Sequence, residues 1–403
     1  MVNVSSSNGL EKRPKLRFPG FDEPYRTTPL GEIAALVNRT DPKSNAPIMM
    51  LSAGNGFIMQ SEKYSRDNAG QSLKKYILLK QGELAYNHGA SKAKQFGCCY
   101  ELTEAEARIP YVYHCFKIND AEYTPYVAMA LNNAKMDQQL KRLVSSSVRM
   151  DGLLNISFDD YMSVTLCLPS YIEQKKTADF LKKLDARIDF QERLLTSLKK
   201  YKRGLFEKIF SDISRRYRGS KLRDLVHVSG GKTPSMNNSL YWNGDTVWIS
   251  SKDMKSNRIY DSELKITTLA LNEMTLYHPG TLLLVARSGI LKHTLPLSVL
   301  EVEATINQDI KALQVHGCNS RYLYYAILAQ EDNIIRTHVK TGTTVQSLMM
   351  DSFMDIEIPI ADIEQQQIIA SKLGKIERYV EGHIKTLSEL MQMRTGLLQQ
   401  LFI

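Results

Sequence analysis

One phrase occurs twice in this sequence, and the repeat limits what the chain can fold into. The stretch IEQKKTADFLKKLDARI begins at Ile172, and a related stretch, IEQQQIIASKLGKIERYV, begins at Ile363. A shift of 192 residues aligns the copies, with identical residues at Ala178 and Ala370, Leu181 and Leu373, and Leu195 and Leu387. Solenoid repeats are only about 20–50 residues long. A repeat this long therefore predicts a duplicated domain together with its connector.

Both copies of the phrase have the pattern of amphipathic helices, because apolar residues recur at spacings of three and four. The spacing is close to a heptad seam. We expect two helices of about 40 residues, or about 60 Å, paired antiparallel through their seams. Ordinary surface helices on separate domains are the alternative. The seam residues are Leu181, Leu184, Ile188, Leu195 and Leu198 in the first copy, and Leu373, Ile376, Val380, Leu387 and Leu390 in the second.

The segments before each long helix differ from each other, and both have a mixed α/β pattern. Runs such as YILLKQGELAY and GTLLLVA predict short strands, and PYVAMALNNAKMDQQLKRL predicts an amphipathic helix. The chain therefore divides into four parts. They are a first domain at 1–170, a first long helix at 171–216, a second domain at 217–360 and a second long helix at 361–403.

Charge and cysteine content indicate the kind of partner and compartment. The net charge of +9 favours a polyanionic partner. Five cysteines without a CxxC pair indicate reduced thiols. The N-terminus lacks the apolar segment of a signal peptide, and the sequence contains no run of about 18 apolar residues. We expect a cytoplasmic protein with no membrane contact.

Motifs of the common enzyme classes are missing from the sequence. It contains neither the phosphate loop nor the dinucleotide-binding glycine turn, and the nucleophile elbow and zinc-protease helix motifs are also lacking. The eight histidines have no partners at metal-ligand spacing. The sequence therefore predicts a protein without catalytic residues of its own and without a bound metal or cofactor.

Polar loops supply the candidate DNA contacts. The longest, GGKTPSMNNSLYWNGDTVWISSKDM, covers residues 230–254. Lysine suits phosphate oxygens, and asparagine, serine and threonine suit base edges. A glycine- and serine-rich connecting loop with core aromatics is an equally good interpretation. The candidates are Lys232, Thr233, Ser235, Asn237, Asn238, Ser251, Lys252, Arg287, Lys340 and Thr343 in the second domain, and Asn87, His88 and Lys92 in the first.

Basic residues are concentrated in the first long helix. Residues 173–216 contain 13 lysines and arginines against 7 aspartates and glutamates. The densest run gives Lys199, Lys200, Lys202 and Arg203 as candidate contacts to a DNA backbone. A solvated helix face explains the same charges equally well.

The whole chain resembles the specificity subunits of type I restriction–modification enzymes. The resemblance rests on the LPxxxEQxxxxxFLxxLDxxI-type phrase from Leu168 to Ile188, on its degenerate copy at Ile363, and on the twofold layout. The GKTP…YW.G…WIS run from Gly231 and the N-terminal PKLRFPGF are also similar. The second helix departs from the phrase, with one extra residue after EQ and no FLxxLD, so its register against the first helix is open by about a turn.

The resemblance implies an α+β fold in which two mixed α/β target recognition domains, related by a pseudo-two-fold, are separated by two long antiparallel coiled-coil helices. Each domain is expected to read one half of a split, asymmetric double-stranded DNA target. The helices are expected to set the distance between the half-sites and to bind partner subunits. The expected partners are two methyltransferase subunits and two restriction/translocase subunits, which use S-adenosylmethionine and ATP with Mg.

Three alternative functions are compatible with the same residues. The first is a stand-alone DNA-binding coiled-coil scaffold without enzymatic partners. The second is a nuclease or methyltransferase whose active site has diverged. The third is a coiled-coil interaction protein whose basic charge is incidental. Co-purification of a methyltransferase distinguishes the type I subunit from the stand-alone scaffold.

Overall fold

A computed structural model describes residues 2–3, 13–63, 70–91, 94–144, 154–340 and 345–403. The chain forms two compact units. The first comprises Met1–Gln191 and Thr386–Ile403, and the second comprises Glu192–Lys385. Each unit thus contains part of both long helices. The domain boundaries expected from the sequence instead follow the helix ends, and they stay predictions.

The first unit is built around a four-stranded antiparallel sheet in the order Ala34–Leu36, His114–Ile118, Leu84–Asn87, Cys98–Glu101. Its other strands are Val2–Asn3, Leu16–Arg17, Arg26–Pro29, Met49–Ser52, Gly56–Met59, Ile77–Lys80, Glu106–Ile109 and Thr165–Leu168. Its helices before the long helix are Leu30–Ile33, Gln60–Lys63, Thr124–Ala130, Ala134–Leu143 and Phe158–Met162, with a 3-10 helix at Gly70–Lys75.

The second unit contains a five-stranded sheet in the order Val226–Gly230, Ile310–Val315, Leu282–Val285, Leu297–Leu300, Arg258–Ile259. A three-stranded sheet follows the order Leu264–Ile266, Trp242–Ile249, Ala304–Ile306. Its remaining strands are Gly219–Lys221, Val339–Lys340, Ser347–Leu348 and Glu357–Pro359. Its short helices are Thr268–Leu271, Ser320–Leu328, Glu331–His338 and Met350–Phe353, with 3-10 helices at Leu222–Asp224, Ser239–Tyr241 and Gly289–Lys292.

Strand pairing repeats between the units with the same period as the sequence. In the first unit, Arg26–Pro29 pairs antiparallel with Thr165–Leu168, and Pro29 lies opposite Thr165. In the second, Gly219–Lys221 pairs antiparallel with Glu357–Pro359, and Lys221 lies opposite Glu357. Both partners are shifted by 192 residues. The structure therefore confirms the duplication that the repeated phrase predicts.

A buried glutamine at the start of each long helix explains part of the repeated phrase. In the first unit, the Gln174 amide donates to the Pro169 carbonyl at 3.0 Å and accepts from the Tyr123 N–H at 2.9 Å. Tyr123 is the N-cap of the helix Thr124–Ala130. The side chain therefore joins the start of the long helix to the start of a second helix.

Gln366 makes the same pair of bonds in the second unit. Its amide donates to the Ala361 carbonyl at 2.7 Å and accepts from the Asn319 N–H at 2.8 Å. Asn319 is the N-cap of the helix Ser320–Leu328. Gln174 and Gln366 are almost fully buried and lie 192 residues apart. Since a buried N–H or C=O without a partner is costly, this position requires a side chain that both donates and accepts.

The long helices are Tyr171–Ser214, with 44 residues, and Ile363–Leu401, with 39 residues. At 1.5 Å per residue they are about 66 Å and 58 Å long. Of the predicted seam residues, Leu181, Ile188, Leu195, Leu373 and Val380 are buried. The other five seam residues are half-buried.

Two ion pairs fix the register of the helix pair. In the first unit, both carboxylate oxygens of Asp185 accept from the Arg394 guanidinium, with Nη2 at 3.2 Å from Oδ2. In the second unit, Lys202 Nζ lies 3.8 Å from Glu377 Oε1. In the alignment of the two repeats, Asp185 is equivalent to Glu377 and Lys202 is equivalent to Arg394. The two contacts are therefore one interaction that occurs twice, and they settle the register that the sequence left open.

Glu377 is far more enclosed than Asp185. Tyr324 and Tyr325 donate their hydroxyls to its carboxylate at 3.2 Å and 3.0 Å. Burial raises the pKa of Glu377 above its ordinary value, although Lys202 and the two tyrosine hydroxyls oppose the shift. The Asp185 side chain is 34% exposed. Repeat-equivalent carboxylates thus occupy different surroundings.

We expect Gln366→Leu to destabilise the chain by roughly 2–4 kcal/mol, because two buried backbone groups lose their partner. Hydrogen exchange at the Asn319 amide should accelerate, and thermal unfolding should report the loss. Gln174→Leu should have a similar effect in the first unit. Gln365→Leu is the matched control, since Gln365 is exposed and its replacement should change stability by less than about 0.5 kcal/mol. Equal effects of Gln366→Leu and Gln365→Leu would contradict this role.

We also expect Glu377→Gln and Asp185→Asn to act in opposite directions at neutral pH. The raised pKa means that the folded state binds the Glu377 proton more tightly than the unfolded state, so its ionisation costs stability as pH rises above the ordinary 4.5. Glu377→Gln should therefore raise the unfolding temperature at pH 7, with no gain at pH 4. Asp185→Asn should lower stability at pH 7 by about 1 kcal/mol. This expectation is refuted if the unfolding temperature of Glu377→Gln, measured relative to wild type, is lower at pH 7 than at pH 4.

Candidate nucleic-acid interface

A tight turn at residues 307–309 of the second unit brings distant loops to one edge. The Asn307 N–H donates to the Ile249 carbonyl at 2.9 Å, and the Lys232 N–H donates to the Ile306 carbonyl at 3.0 Å. The Ala286 N–H donates to the Asp309 carbonyl at 2.9 Å. We call this surface the loop edge. It comprises residues 230–242, 249–253, 286–292, 307–309 and 345–349, together with Lys340.

Most of the candidate contacts of the second domain lie on the loop edge. Arg287 and Lys340 both face Ser347, which forms a β-bridge with Arg287 and pairs with Lys340. Asn238 and Ser251 are half-buried. Thr343 lies outside the described residues. The exposed candidates are Lys232, Thr233, Ser235, Asn237, Lys252, Arg287 and Lys340.

Two tryptophans hold the long polar loop in place. Trp242 Nε1 donates to the Ser235 carbonyl and Trp248 Nε1 donates to the Lys232 carbonyl, both at 3.1 Å. The two rings meet edge to face, with centroids 5.2 Å apart. Asn238 caps the 3-10 helix Ser239–Tyr241 by accepting from the Leu240 N–H at 3.1 Å. The loop is therefore braced by its own aromatic residues, while its lysine and hydroxyl side chains point to solvent.

The charge of the loop edge is positive. Its described residues include Lys232, Lys252, Arg287, Lys292 and Lys340 against Asp253 and Asp309. The Asp253 carboxylate accepts from the Ser250 N–H at 2.9 Å and from the Ser250 hydroxyl at 2.7 Å, so it stabilises the local turn. A surplus of cations around exposed hydroxyl and amide groups suits a polyanion that carries hydrogen-bonding edges.

No sequence motif indicates two features of this edge. Met236 and Leu240, at the tip of the polar loop, are 63% and 68% exposed. Gln308 is exposed on the 307–309 turn, and the Thr233 hydroxyl donates to its Oε1 at 2.5 Å. Thr233 and Gln308 are separated by 75 residues, so their contact becomes visible only in the folded chain.

The candidates of the first unit have different surroundings. Asn87 ends the strand Leu84–Asn87, and its side chain accepts from the Gly89 N–H at 2.9 Å. His88 is only 6% exposed, and its ring centroid lies 4.9 Å from that of His114. Burial lowers the pKa of His114. The structure thus places His88 inside the fold. Lys92 lies outside the described residues.

The four candidate contacts to a DNA backbone on the first long helix also divide into two kinds. Lys199 and Lys200 are exposed and form no ion pair within the described part of the chain. Lys202 is only 22% exposed beside Glu377, and Arg203 pairs with Asp332 at 3.1 Å. Contacts within the protein therefore occupy Lys202 and Arg203, while Lys199 and Lys200 face solvent.

No group of three or more histidine, cysteine or carboxylate side chains is arranged to hold a metal ion within the described ranges. Likewise, none of the helices that the structure describes is both long enough and apolar enough to span a membrane.

Sequence comparison finds relatives for part of the chain. Residues 216–391 match the model of the type I restriction modification DNA specificity domain. The Escherichia coli type I restriction enzyme EcoR124I/EcoR124II specificity subunit is 34% identical over 169 residues, or 41% of this chain and 42% of the relative. The Methanocaldococcus jannaschii MjaIX specificity subunit is 31% identical over 189 residues, or 45% and 43%. The matches span less than half the length of these relatives.

Structural comparison covers nearly the whole chain. The type I restriction–modification S subunit from M. genitalium matches with a TM-score of 0.60 at 14% identity, covering 97% of this chain and 99% of that one. A chain from a study of complex assembly and conformational transition in the type I R-M system matches with a TM-score of 0.54 at 15% identity, covering 95% and 98%. At such identities these matches show the fold alone.

The protein is therefore an α+β chain of two mixed domains joined by coiled-coil helices, and the predicted fold class is confirmed. The predicted resemblance to the specificity subunits of type I restriction–modification enzymes is also confirmed, and residues 216–391 are the part of the chain that matches the DNA specificity domain.

We expect Gly231→Ala to disrupt the loop edge. A Cβ at Gly231 would lie 1.9 Å from the Ile306 carbonyl oxygen, so the loop or the strand must move. The variant should lose about 1–3 kcal/mol of stability. Gly204→Ala is the matched control: a Cβ there meets nothing within 4 Å, and it should stabilise the long helix by about 0.5–1 kcal/mol. Thermal unfolding of both full-length variants tests the pair, and an unchanged Gly231→Ala midpoint would contradict the close approach.

Proposed function

We propose that this protein is the DNA-recognition subunit of a type I restriction–modification complex and reads a bipartite, asymmetric target. The observation that carries the proposal is the coincidence of two independent features. Residues 216–391 match a DNA specificity domain, and the same segment presents a braced, positively charged edge of exposed polar side chains. The stand-alone scaffold has no observation in its favour.

In the loop edge of the second unit, different types of side chain suit different parts of DNA. Lys232, Lys252, Arg287 and Lys340 suit phosphate oxygens, and Arg287 also suits guanine, whose O6 and N7 accept a bidentate contact. Ser235 and Asn237 suit base edges, and the Thr233 hydroxyl contacts Gln308 on the 307–309 turn. Since the tryptophans and the 307–309 turn hold the loop before DNA arrives, little loop entropy is lost on binding.

The duplication supports a target with two different halves. A shift of 198 residues aligns the strand Leu84–Asn87 with Leu282–Val285, and it places Gly89 opposite Arg287. The first unit therefore has no side chain where the second has a cation. Two domains with the same framework and different loops are expected to bind different half-sites, with the paired helices setting the unspecified spacer.

The long helices carry exposed apolar side chains that suit partner subunits. Phe190, Tyr201 and Tyr379 are 51%, 64% and 59% exposed, and Met391 and Met393 are 49% and 55% exposed. We propose two methyltransferase subunits and two restriction/translocase subunits as partners. S-adenosylmethionine and ATP with Mg would be used by those partners, and this chain would supply recognition only, in the cytoplasm.

The experiment that tests the proposal starts from the full-length chain, tagged and purified from its own host with the proteins that it binds. Mass spectrometry should identify a methyltransferase subunit, and selection from a randomised duplex library should return a split sequence. Arg287→Ala should change preference in one half-site only, at a cost of about 1–3 kcal/mol. The double variant Lys199→Ala with Lys200→Ala should weaken binding to all DNA sequences alike. It should also flatten the dependence of log K on log salt.

Two results would contradict the proposal. If the intact complex selects no preferred sequence, the proposal of sequence-specific DNA recognition is wrong. If Arg287→Ala alone changes the preference in both half-sites, the model of two separate recognition domains is wrong. Asn87→Ala is the counterpart variant in the first unit, and its effect should fall on the half-site that Arg287→Ala leaves unchanged.

A further inference from the structure

The turn at residues 307–309 exposes one side chain, and hydrogen bonds hold the residues on either side of it. Asn307 is 6% exposed, its N–H bonds the Ile249 carbonyl at 2.9 Å, and its side-chain oxygen accepts from the Asp309 N–H at 3.2 Å. The Asp309 carbonyl accepts from the Ala286 N–H at 2.9 Å. Gln308 alone of the three is exposed. The backbone that carries this amide is therefore fixed on both sides.

The amide of Gln308 is itself oriented. The Thr233 hydroxyl donates to Gln308 Oε1 at 2.5 Å, and this contact limits the positions that the side chain can take. Both N–H groups of Nε2 and the second lone pair of Oε1 remain to be used. A long glutamine side chain normally loses much rotamer freedom when it binds a ligand, and here Thr233 has already restricted it.

A donor and an acceptor held side by side match one base in particular. In the major groove adenine presents the N7 acceptor next to the N6 donor, and a glutamine amide pairs with both at once. Guanine presents two acceptors there, so an amide cannot satisfy it in the same way. Lys232 belongs to the same edge and suits a flanking phosphate.

We propose that Gln308 reads an adenine in the half-site bound by the second unit, and that Thr233 is its positioning residue. This inference rests on the proposed function, since it specifies what one side of the loop edge recognises. Thr233 acts through Gln308 by restricting its side chain, so that the amide is already held at the loop edge before DNA binds.

The test uses the full-length chain with its co-purified partners and a library of duplexes randomised in sequence. Gln308→Ala should reduce discrimination at one position of one half-site by about 5- to 150-fold. Gln308→Glu presents only acceptors and should change the preferred base at that position from adenine to cytosine, whose N4 amino group donates. Thr233→Val should weaken the adenine preference at the same position, whereas Thr233→Ser, which keeps the hydroxyl, should retain it.

Gln367→Glu is the matched control, because Gln367 is exposed on the second long helix of the same unit and gains the same charge. It should leave the selected sequence unchanged. Thermal unfolding of each variant separates loss of folding from loss of recognition. If wild type selects a split sequence but Gln308→Glu and Gln308→Ala leave it intact, the inference is overturned and the proposed function stands. If wild type selects no sequence, the proposed function fails first.

Discussion

The antiparallel pairing of the two long helices is the constraint on which the rest of the structure depends. The two helices are repeats of each other. A contact between a position on the first helix and a position on the second therefore recurs between the repeat-equivalent positions, with the two helices exchanged. Asp185 with Arg394 and Lys202 with Glu377 are such a pair of contacts. A slip of one turn would break both at once, together with the packing of Leu181 and Leu373. The duplication thus doubles the cost of any wrong register.

The buried glutamines join this helix pair to the domains. Gln174 and Gln366 each satisfy the N-cap N–H of a neighbouring helix and a carbonyl that precedes the long helix. The repeated phrase therefore contains the residues that attach a domain to the connector, in addition to the seam. Loops that make none of these contacts are free to differ between the copies, and the loops of the loop edge do differ.

The candidate site could be predicted from the sequence only in part. The sequence indicates Lys232 and Thr233 because they lie in a long polar loop, and Arg287 because it follows a predicted strand. The structure brings all three to one edge. The sequence does not indicate Gln308, because a lone glutamine between two apolar strands has no distinctive pattern. His88 and Lys202 also show the limit of composition, since the fold buries the first and pairs the second with Glu377, which lies far away in the sequence.

The sequence by itself determined the duplication, the two long helices and their seams, because periodic apolar spacing and a fixed repeat are properties of the linear chain. Only the tertiary structure decided which loops meet. The Asn307, Lys232 and Ala286 amides bond carbonyls on other segments, and none of these bonds leaves a periodic trace in the sequence. The tertiary structure also decided that Glu377 is enclosed by two tyrosines while Asp185 is partly exposed. Burial depends on the residues that other parts of the chain place around a side chain, and the linear order does not contain that information.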